Sequence, residues 1–283
     1  MTRPLRIGSR SLRAFLRNRV AVVGAVLAVG VILLALAAPA VAPYDPLEQN
    51  VYVKLQTPSG AHPFGTDDFG RDVLSRVFFG ARVSLTVGVL SVLMGMAVGT
   101  LMGLVAGYLR GWLEQAIMRL VDVLMAFPVL IMGLLVMATL GTGLGKMIAA
   151  IGVVLAPRFA RLAYGAVVAI REQDYVDAAR AVGGSPWRIM LRHVLPNVFG
   201  EILVMGTLWT ATAIRIEANL SFIGLGVSPP TPTWGNMIRE GVNWIVVAPW
   251  LPVFPGLAIL VTVLAFNMVG DGLRDAVDPK LQT

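Results

Sequence analysis

Residues 174–197 read DYVDAARAVGGSPWRIMLRHVLPN, a polar and arginine-rich stretch in a chain of 283 residues that is otherwise mostly apolar. The stretch opens on an acidic residue followed by two alanines, continues through a double glycine and closes on Leu-Pro. These landmarks are Asp177, Ala178, Ala179, Gly183, Gly184, Leu195 and Pro196. Such a stretch is too polar to lie in lipid, so its position between the apolar runs decides how the chain folds.

Local rules predict two short helices within this stretch. Asp174 is expected to cap the first helix, with Asp177 in its first turn, where negative charge is favourable. Gly183 is expected to end this helix because glycine accepts the left-handed conformation found at helix ends. Ser185 is expected to cap the second helix, with Pro186 in its first position, where the missing N–H is harmless.

The two predicted helices have surfaces suited to contact with another protein. The first presents small side chains, which let a partner close around it. The second is expected to place Trp187, Met190, Leu191 and Val194 on one side, to carry Arg188 and Arg192 four residues apart, and to end at Pro196. A solvated loop is the alternative, but a loop that only returns the chain needs neither two caps nor about 25 residues.

Composition indicates that the rest of the chain lies in a membrane. Hydrophobic residues make up 57% and charged residues 14%, and the mean hydropathy is +0.76. A soluble domain carries about 25% charged residues, and a membrane span needs about 20 apolar ones. Six spans are expected, at residues 20–41, 82–110, 122–146, 146–156, 202–214 and 250–270. Pro157, Arg158, Glu201 and Arg215 are expected to trim the fourth and fifth.

The distribution of charge sets the expected orientation. Six arginines precede the first span with no acid among them, at positions 3, 6, 10, 13, 17 and 19. Positive residues collect on the cytoplasmic side, so both termini are expected there. A nucleic-acid-binding arm fits poorly beside an uncharged span, and the apolar run is too long for a cleaved signal peptide. Lys54, Arg71, Arg76 and Arg82 in the first external loop are a mild conflict.

With this orientation the loops have fixed sides. Residues 43–82, 141–145 and 217–249 are expected outside, and residues 108–119, 158–197 and the tail from Asp271 inside. Within the first external loop, Thr66 or Asp67 is expected to start an amphipathic segment that runs to Phe79.

Glycines recur along the second span at a spacing of four, at Gly95, Gly99, Gly103 and Gly107. Such a face lets another helix backbone approach closely. Two interpretations remain open at this point: packing within the chain, or contact with a second transmembrane subunit.

Several kinds of chemistry are excluded. The chain has no cysteine, and its two histidines, His62 and His193, lie too far apart to suggest a metal cluster. Residues 141–146, GTGLGK, lack the spacing and the hydroxyl residue of a phosphate-binding loop. Asp122, Glu201 and Arg215 are interpreted as helix-end anchors, and no ion relay is evident. The chain is therefore expected to use energy supplied by another polypeptide.

Asp177-Ala-Ala, Gly183 and Leu195-Pro196 resemble the EAA loop of permease subunits of bacterial ABC importers. In that family the loop forms a coupling helix that sits in a groove of the ATPase. The usual glutamate is Asp177 here, which keeps the charge, and His193 replaces a hydrophobic residue, as is typical of the peptide branch. The resemblance therefore assigns ATPase coupling to Asp177, Ala178, Ala179, Gly183, Ser185, Arg188, Leu195 and Pro196.

Three further segments resemble the second permease of dipeptide, oligopeptide and nickel importers. They are HPFGTDDFGRDVLSR with GARVS at residues 62–76 and 80–84, LSFIGLGVSPP with WG at 220–230 and 234–235, and FN with GDGLRD at 266–267 and 270–275, followed by Asp278-Pro279. The resemblance implies an all-α, six-helix type I permease fold in the bacterial inner membrane. Residues 1–80 would form an arm, the first helix and an external loop, and residues 81–283 the core, with a coupling loop at about 170–197.

The same resemblance implies the partners. These are a second homologous permease, two ABC ATPase subunits that use ATP and magnesium, an extracytoplasmic solute-binding protein, and the lipid bilayer, with no nucleic acid. The chain itself would bind no cofactor and catalyse no reaction. The expected solute is a di- or oligopeptide, with a nickel chelate, glutathione or another small solute as the alternative. An ion-coupled carrier would need coupling-ion ligands, and a scaffold protein would leave the capped helix pair unexplained.

Overall fold

The computed structural model describes residues 9–277, and every regular element in this part of the chain is a helix. The helices are α1 Ser9–Arg17, α2 Arg19–Val41, α3 Val73–Leu109, α4 Gly111–Ala126, α5 Val129–Leu140, α6 Leu144–Arg171, α7 Asp174–Ala181, α8 Pro186–Ile189, α9 Leu195–Ile223, α10 Trp234–Val242 and α11 Trp250–Val277. A 3₁₀ turn covers Val51–Val53 and a π-helical turn covers Met190–Val194. The arginines at positions 3 and 6 and the Asp278-Pro279 pair, which entered the sequence argument, lie outside the described residues.

The expected number of spans is confirmed if one bent helix pair counts as a single span. Five helices of the described chain are long and apolar enough to cross a membrane: α2, α3, α6, α9 with the helical residues before it, and α11. The sixth is the pair α4 and α5, which pass the same test together but bend by 99° at Phe127-Pro128. The sequence placed the third span at residues 122–146 and indicated no bend there. The bend arises because proline restricts the residue before it to extended backbone, and Phe127 has φ −82° and ψ 137°.

The fourth and fifth spans are longer than expected. Pro157 was predicted to trim the fourth span, but α6 continues through it to Arg171 and carries Arg158 at its middle. Glu201 and Arg215 were predicted to bound the fifth, yet both lie inside α9. The proline and the three charged residues are tolerated inside these helices because neighbouring helices cover part of each helix.

Two groups of contacts fix the ends of the bundle. Residues 172–194, between α6 and α9, are called the linking segment, and the end of the bundle where they lie is the linking end. Arg171 donates a hydrogen bond to the Gly107 carbonyl, which brings the last turn of α3 to this end. At the opposite end, the loop end, Thr142 and Ser228 are hydrogen-bonded at 3.1 Å and Tyr44 N donates to Ser75 Oγ at 3.1 Å.

The glycine face of α3 packs against α6 within the same chain. A Cβ atom built on Gly95 would lie 2.9 Å from the Gly152 carbonyl oxygen, and one on Gly99 or Gly103 would meet the backbone of Ala156 or Ala160. Because these neighbours are backbone atoms, they cannot move aside as a flexible side chain would. Of the two interpretations left open by the sequence, packing within the chain is the one that the structure adopts.

The first and last spans pair in the same manner. Gly24 of α2 lies against Met268 of α11, and Gly272 of α11 lies against Ala21 of α2. Asn18 caps α2, since its side chain accepts from the backbone N–H groups of Val20 and Ala21. α2 and α11 therefore form one side of the bundle, with the start of α2 at the linking end.

Replacing Gly99 by alanine is expected to destabilise the protein, because the added methyl group must push α3 away from the α6 backbone. Overpacking of this kind costs about 1–3 kcal/mol, which would lower the melting temperature in detergent by several degrees. Gly165→Ala is the matched control, since a Cβ atom at Gly165 of α6 meets no atom within 4 Å. Equal melting temperatures for the two variants would contradict the close contact.

Candidate functional site

The first helix of the linking segment is α7, which follows α6 after a turn of two residues. Gln173, not Asp174, occupies the N-cap position, and no side chain caps the helix. Asp174 and Asp177 instead lie in the first turn, where both carboxylates favour the helix dipole. Asp177 is exposed and forms an ion pair with Arg180 at 2.8 Å.

Gly183 ends α7 as the sequence predicted. Its φ is +80°, in the left-handed region, and a Cβ atom there would meet nothing within 4 Å. The conformation of the backbone, and not a lack of space, therefore requires glycine at this position. Gly184 N then donates to the Ala179 carbonyl at 3.0 Å, which closes the helix end.

The second helix does not break at Pro196. Ser185 stands at the N-cap of α8 with Pro186 next to it, although the Ser185 side chain makes no capping bond. The π turn Met190–Val194 then joins α8 to α9, so that residues 186–223 form one continuous helix. The predicted break was wrong because the π turn changes the backbone bonding just before Pro196, with Leu195 N donating to the Met190 carbonyl, and because Asn197 Nδ2 donates to the His193 carbonyl at 2.6 Å.

Buried apolar side chains attach the linking segment to the spans. Val176, Ile189, Met190 and Val194 are at most 1% exposed and belong to the same core cluster as Val167 of α6. The sequence grouped Met190 and Val194 with Trp187 and Leu191 on one face. The structure separates them, since Trp187 and Leu191 remain exposed.

Polar contacts hold the linking segment to the end of α3. Besides the bond from Arg171 to the Gly107 carbonyl, Arg110 pairs with Glu172 at 2.8 Å. The Arg180 guanidinium lies over the Tyr108 ring at 5.3 Å, and the hydrogen bond with the Tyr108 hydroxyl raises the pKa of Arg180. The segment is therefore fastened to α3 as well as to α6 and α9.

The outer surface of the linking segment is apolar and uncovered. Tyr175, Val182, Trp187 and Leu191 are all at least 40% exposed, and Val182 reaches 86%. Asp177, Ala178 and Arg188 are also exposed, Ala179 and Leu195 are half-buried, and Ser185 and Pro196 are exposed. Exposed apolar groups at the end of a helical bundle, flanked by charges of both signs, are typical of an interaction surface.

At the loop end, four charged side chains, three of them buried and Glu240 half-buried, form a cluster that we call the loop clamp. Asp67 accepts from Arg71 at 2.6 Å and from Arg76 at 2.8 Å, and Glu240 accepts from the same two arginines at 3.2 and 2.9 Å. Asp67, Arg71 and Arg76 are each at most 8% exposed. The clamp joins the first loop, the start of α3 and α10.

The helix that follows the first loop begins later than predicted. Asp72, not Thr66 or Asp67, caps α3, because its carboxylate accepts from Ser75 N at 2.7 Å. His62 lies 3.0 Å from the same carboxylate group. The expected amphipathic segment therefore begins six residues later than Thr66, and α3 enters the bundle from a turn held by the hydrogen bonds of Asp72.

A second polar cluster holds the other end of α10. Glu217 was predicted to start the last loop, but it lies inside α9 and is fully buried. Its carboxyl group accepts from Ser84 at 2.9 Å and from Ser221 at 2.7 Å. Next to it, Trp234 of α10 is 2% exposed and donates to the Val77 carbonyl at 3.0 Å. α10 is thus inserted between α3 and α9 and is not a free surface helix.

The remaining ionisable groups of the spans were predicted to be helix-end anchors. Asp122 instead pairs with Arg161 across α4 and α6, and Arg215 lies within α9, bonded to Thr212 at 3.3 Å. Among residues 9–277, no group of three histidine, cysteine, aspartate or glutamate side chains could hold a metal ion.

The family comparison decides the class of protein. Residues 99–283 match the binding-protein-dependent transport system inner membrane component. Residues 8–58 match the N-terminal transmembrane domain of oligopeptide transport permease C. The chain belongs to this permease family. It is therefore a multi-pass inner-membrane permease of an ABC importer.

Two similar proteins align with almost the whole chain. The glutathione transport system permease protein GsiD of Pectobacterium atrosepticum is 43% identical over 272 residues, which cover 96% of this chain and 90% of that protein. GsiD of Escherichia coli O157:H7 is 45% identical over 271 residues, covering 95% and 89%. The permease resemblance drawn from the sequence is confirmed by these matches.

A solved structure supports the architecture. A chain of the MetNI methionine ABC transporter, in an inward-facing conformation, superposes with a TM-score of 0.59 at 20% identity. The match covers 73% of this permease and 96% of that chain. At this identity the likeness concerns the fold alone, and it confirms the predicted importer-permease architecture.

The permease contains functional candidates that sequence reasoning did not identify. Three of the four clamp residues, Asp67, Arg71 and Arg76, fall in the segment 62–76 whose resemblance to the peptide branch was noticed, whereas Glu240 and Glu217 lie outside the resembling segments. No local pattern, however, pairs Glu240 with Arg76 or Glu217 with Ser84. The available signal was the presence of acidic and basic residues in otherwise apolar surroundings. Such residues need hydrogen-bonding or oppositely charged partners when they are buried.

Asp67→Asn is expected to destabilise the loop end, because it leaves the buried Arg71 and Arg76 with Glu240 as their one remaining ion-pair partner among the described residues. Removing one partner of a buried ion pair costs about 3–5 kcal/mol. Asp68→Asn is the matched control, since Asp68 is the adjacent residue but is only half-buried and lies outside the clamp. Limited proteolysis of the loop and thermal unfolding measure the difference, and equal behaviour of the two variants would show that the clamp is not stabilising.

Proposed function

We propose that this permease and a second, homologous permease together form the path through which a small peptide enters the cell. Two ABC ATPase subunits, which use ATP and magnesium, would dock at the linking end, and a solute-binding protein would deliver the solute at the loop end. The observation that carries this proposal is the linking segment: an exposed, apolar surface that is fastened by buried side chains to two continuous spans.

The attachment of the linking segment suits the transmission of force. α6 runs without a break up to Arg171, directly before the linking segment, and the helix at residues 186–223 leaves the segment without a break. A displacement applied to Val182 or Trp187 would therefore move the spans directly, since Val176, Ile189 and Met190 are packed in the core. Under this proposal Asp177, Ala178, Ala179, Gly183, Ser185, Arg188, Leu195 and Pro196 belong to the ATPase-coupling region.

The proposal also assigns sides to the membrane. The linking end would face the cytoplasm, together with both termini, as the arginines before α2 favour. The loop end would face outwards, where the loop clamp and Glu217 hold α10 and the flanking loops in a fixed arrangement. The division into an N-terminal part, residues 1–80, and a core, residues 81–283, stays a prediction.

For the solute, we propose small peptides with glutathione as the first candidate. Glutathione is itself a tripeptide, and the relatives that cover most of the chain are named as glutathione permeases. The sequence resemblance covers the wider dipeptide, oligopeptide and nickel group, so a nickel chelate is the alternative.

Charge reversal in the linking segment is expected to separate ATP hydrolysis from transport. Asp177→Lys would place a cation at the helix N-terminus and against the ATPase, and Gly183→Val would force a β-branched residue into the left-handed region. Both variants should insert and fold yet show at least about tenfold slower uptake, whereas Glu48→Lys at the loop end should behave as wild type. Uptake and ATP hydrolysis by the reconstituted importer give the comparison, and normal uptake by both variants would refute the coupling assignment.

Loss of this permease is expected to abolish uptake of labelled glutathione or of short peptides such as trialanine, and to leave nickel accumulation unchanged. A deletion strain complemented with the intact gene or with the Asp177→Lys variant measures this. Loss of nickel accumulation alone would favour the chelate and contradict the peptide proposal.

A further inference from the structure

Arg158 lies about midway along α6, roughly 20 Å from either end at 1.5 Å per residue. The sequence placed this arginine at the cytoplasmic end of a short span, but the helix continues past it to Arg171. A charged side chain at this depth is strongly disfavoured unless it faces water, a cavity or an opposite charge. Its position therefore calls for a specific partner.

The contacts of Arg158 leave most of its hydrogen-bonding capacity unused. Nη1 donates to the Val154 carbonyl at 2.8 Å, and the guanidinium lies 5.3 Å from the centre of the Trp209 ring in α9. Within residues 9–277 it forms no ion pair, whereas Arg161, one turn further along, pairs with Asp122. A guanidinium has five N–H donors, so Arg158 can still bind an anion through two of them.

The residues around Arg158 add further polar and aromatic groups. Pro157 has no N–H, so the Val153 carbonyl lacks its helical donor. The Val153 side chain is 40% exposed, and Arg158 itself is half-buried, which leaves this part of α6 partly open. The middle of the span thus offers a cation, a carbonyl oxygen that lacks its usual helical donor, and an aromatic ring of the neighbouring helix α9.

We propose that Arg158 lines the solute path of this permease and binds a carboxylate of the passing peptide. This inference rests on the proposed peptide-import function. Every free peptide carries a carboxylate, which the planar guanidinium can hold through two parallel hydrogen bonds. It also carries an ammonium group, which can donate a hydrogen bond to the Val153 carbonyl. Trp209 keeps the guanidinium in position from the side of α9, as a cation–π contact does.

An acidic side chain of the second permease is the other possible partner. In that case the arginine would stabilise the assembly and would be indifferent to the charge of the solute. If Arg158 contacts the solute, the opposite is expected. The affinity for the solute should depend on its carboxylates, and assembly of the importer should not depend on Arg158. These consequences can be measured separately.

The test uses the purified complete importer without its binding protein, so that delivery of the solute is bypassed. Radiolabelled glutathione is bound at equilibrium and displaced either by glutathione or by its diethyl ester, which lacks both carboxylate charges. Arg158→Gln and Arg158→Lys are compared with Arg82→Gln. Arg82 is a suitable control because it also lies near an aromatic ring, that of Phe79 at 5.9 Å, but at the loop end of α3.

The wild type and Arg82→Gln are expected to bind glutathione about tenfold more tightly than the ester, the ratio for one charge-assisted contact. Arg158→Gln should bind glutathione about tenfold more weakly and lose the preference, and Arg158→Lys should keep part of it. All variants should elute as complete complexes in size-exclusion chromatography.

Three results would overturn the inference while leaving the import function intact. They are an unchanged preference in Arg158→Gln, loss of the second permease from that complex, and no detectable glutathione binding by a wild-type importer that takes up glutathione. A wild-type importer that takes up neither glutathione nor trialanine would instead refute the proposed solute, and the inference with it.

Discussion

The close contact between α3 and α6 is the constraint on which the rest of this permease depends. Lipid supplies little hydrophobic drive for two helices to associate, so their contact relies on packing. Gly95, Gly99 and Gly103 allow the two backbones to touch along several turns. Both helices therefore act as one stiff unit. At one end this unit holds the linking segment through Arg171 and Gly107, and at the other end it carries Arg76 of the loop clamp.

The two ends of this unit are built from different interactions. The linking segment is held by buried apolar side chains and leaves an apolar surface exposed. This arrangement suits a partner protein that binds the surface and displaces it. The loop end is held by charges that are buried or half-buried, with Asp67, Arg76 and Glu240 in one cluster and Glu217 beside the inserted α10. Buried charges require defined geometry. The loop end is thus held in one arrangement, while the linking end exposes a surface for contact with another protein.

Much of this architecture could be predicted from the sequence, because apolar runs, helix caps and the resemblance of short motifs are local signals. The left-handed turn at Gly183 was predicted correctly for that reason. The errors at Pro157, Pro196 and Glu217 share one cause: each residue was judged by its own preference, while neighbouring helices and hydrogen bonds decided the outcome. Burial of Glu217 depends on Ser84 and Ser221. Continuity at Pro196 depends on the π turn before it, and no local rule indicates either.

The central claim is that the linking segment transmits work from an ATPase subunit, and cross-linking tests it most directly. The chain contains no cysteine, so a single cysteine at Val182 or at Val246 can carry a benzophenone probe. Both side chains are highly exposed, 86% and 93%, and they lie at opposite ends of the bundle. In the assembled importer, the account predicts a nucleotide-dependent adduct with the ATPase from position 182 and none from position 246. An ATPase adduct from position 246 alone would contradict it.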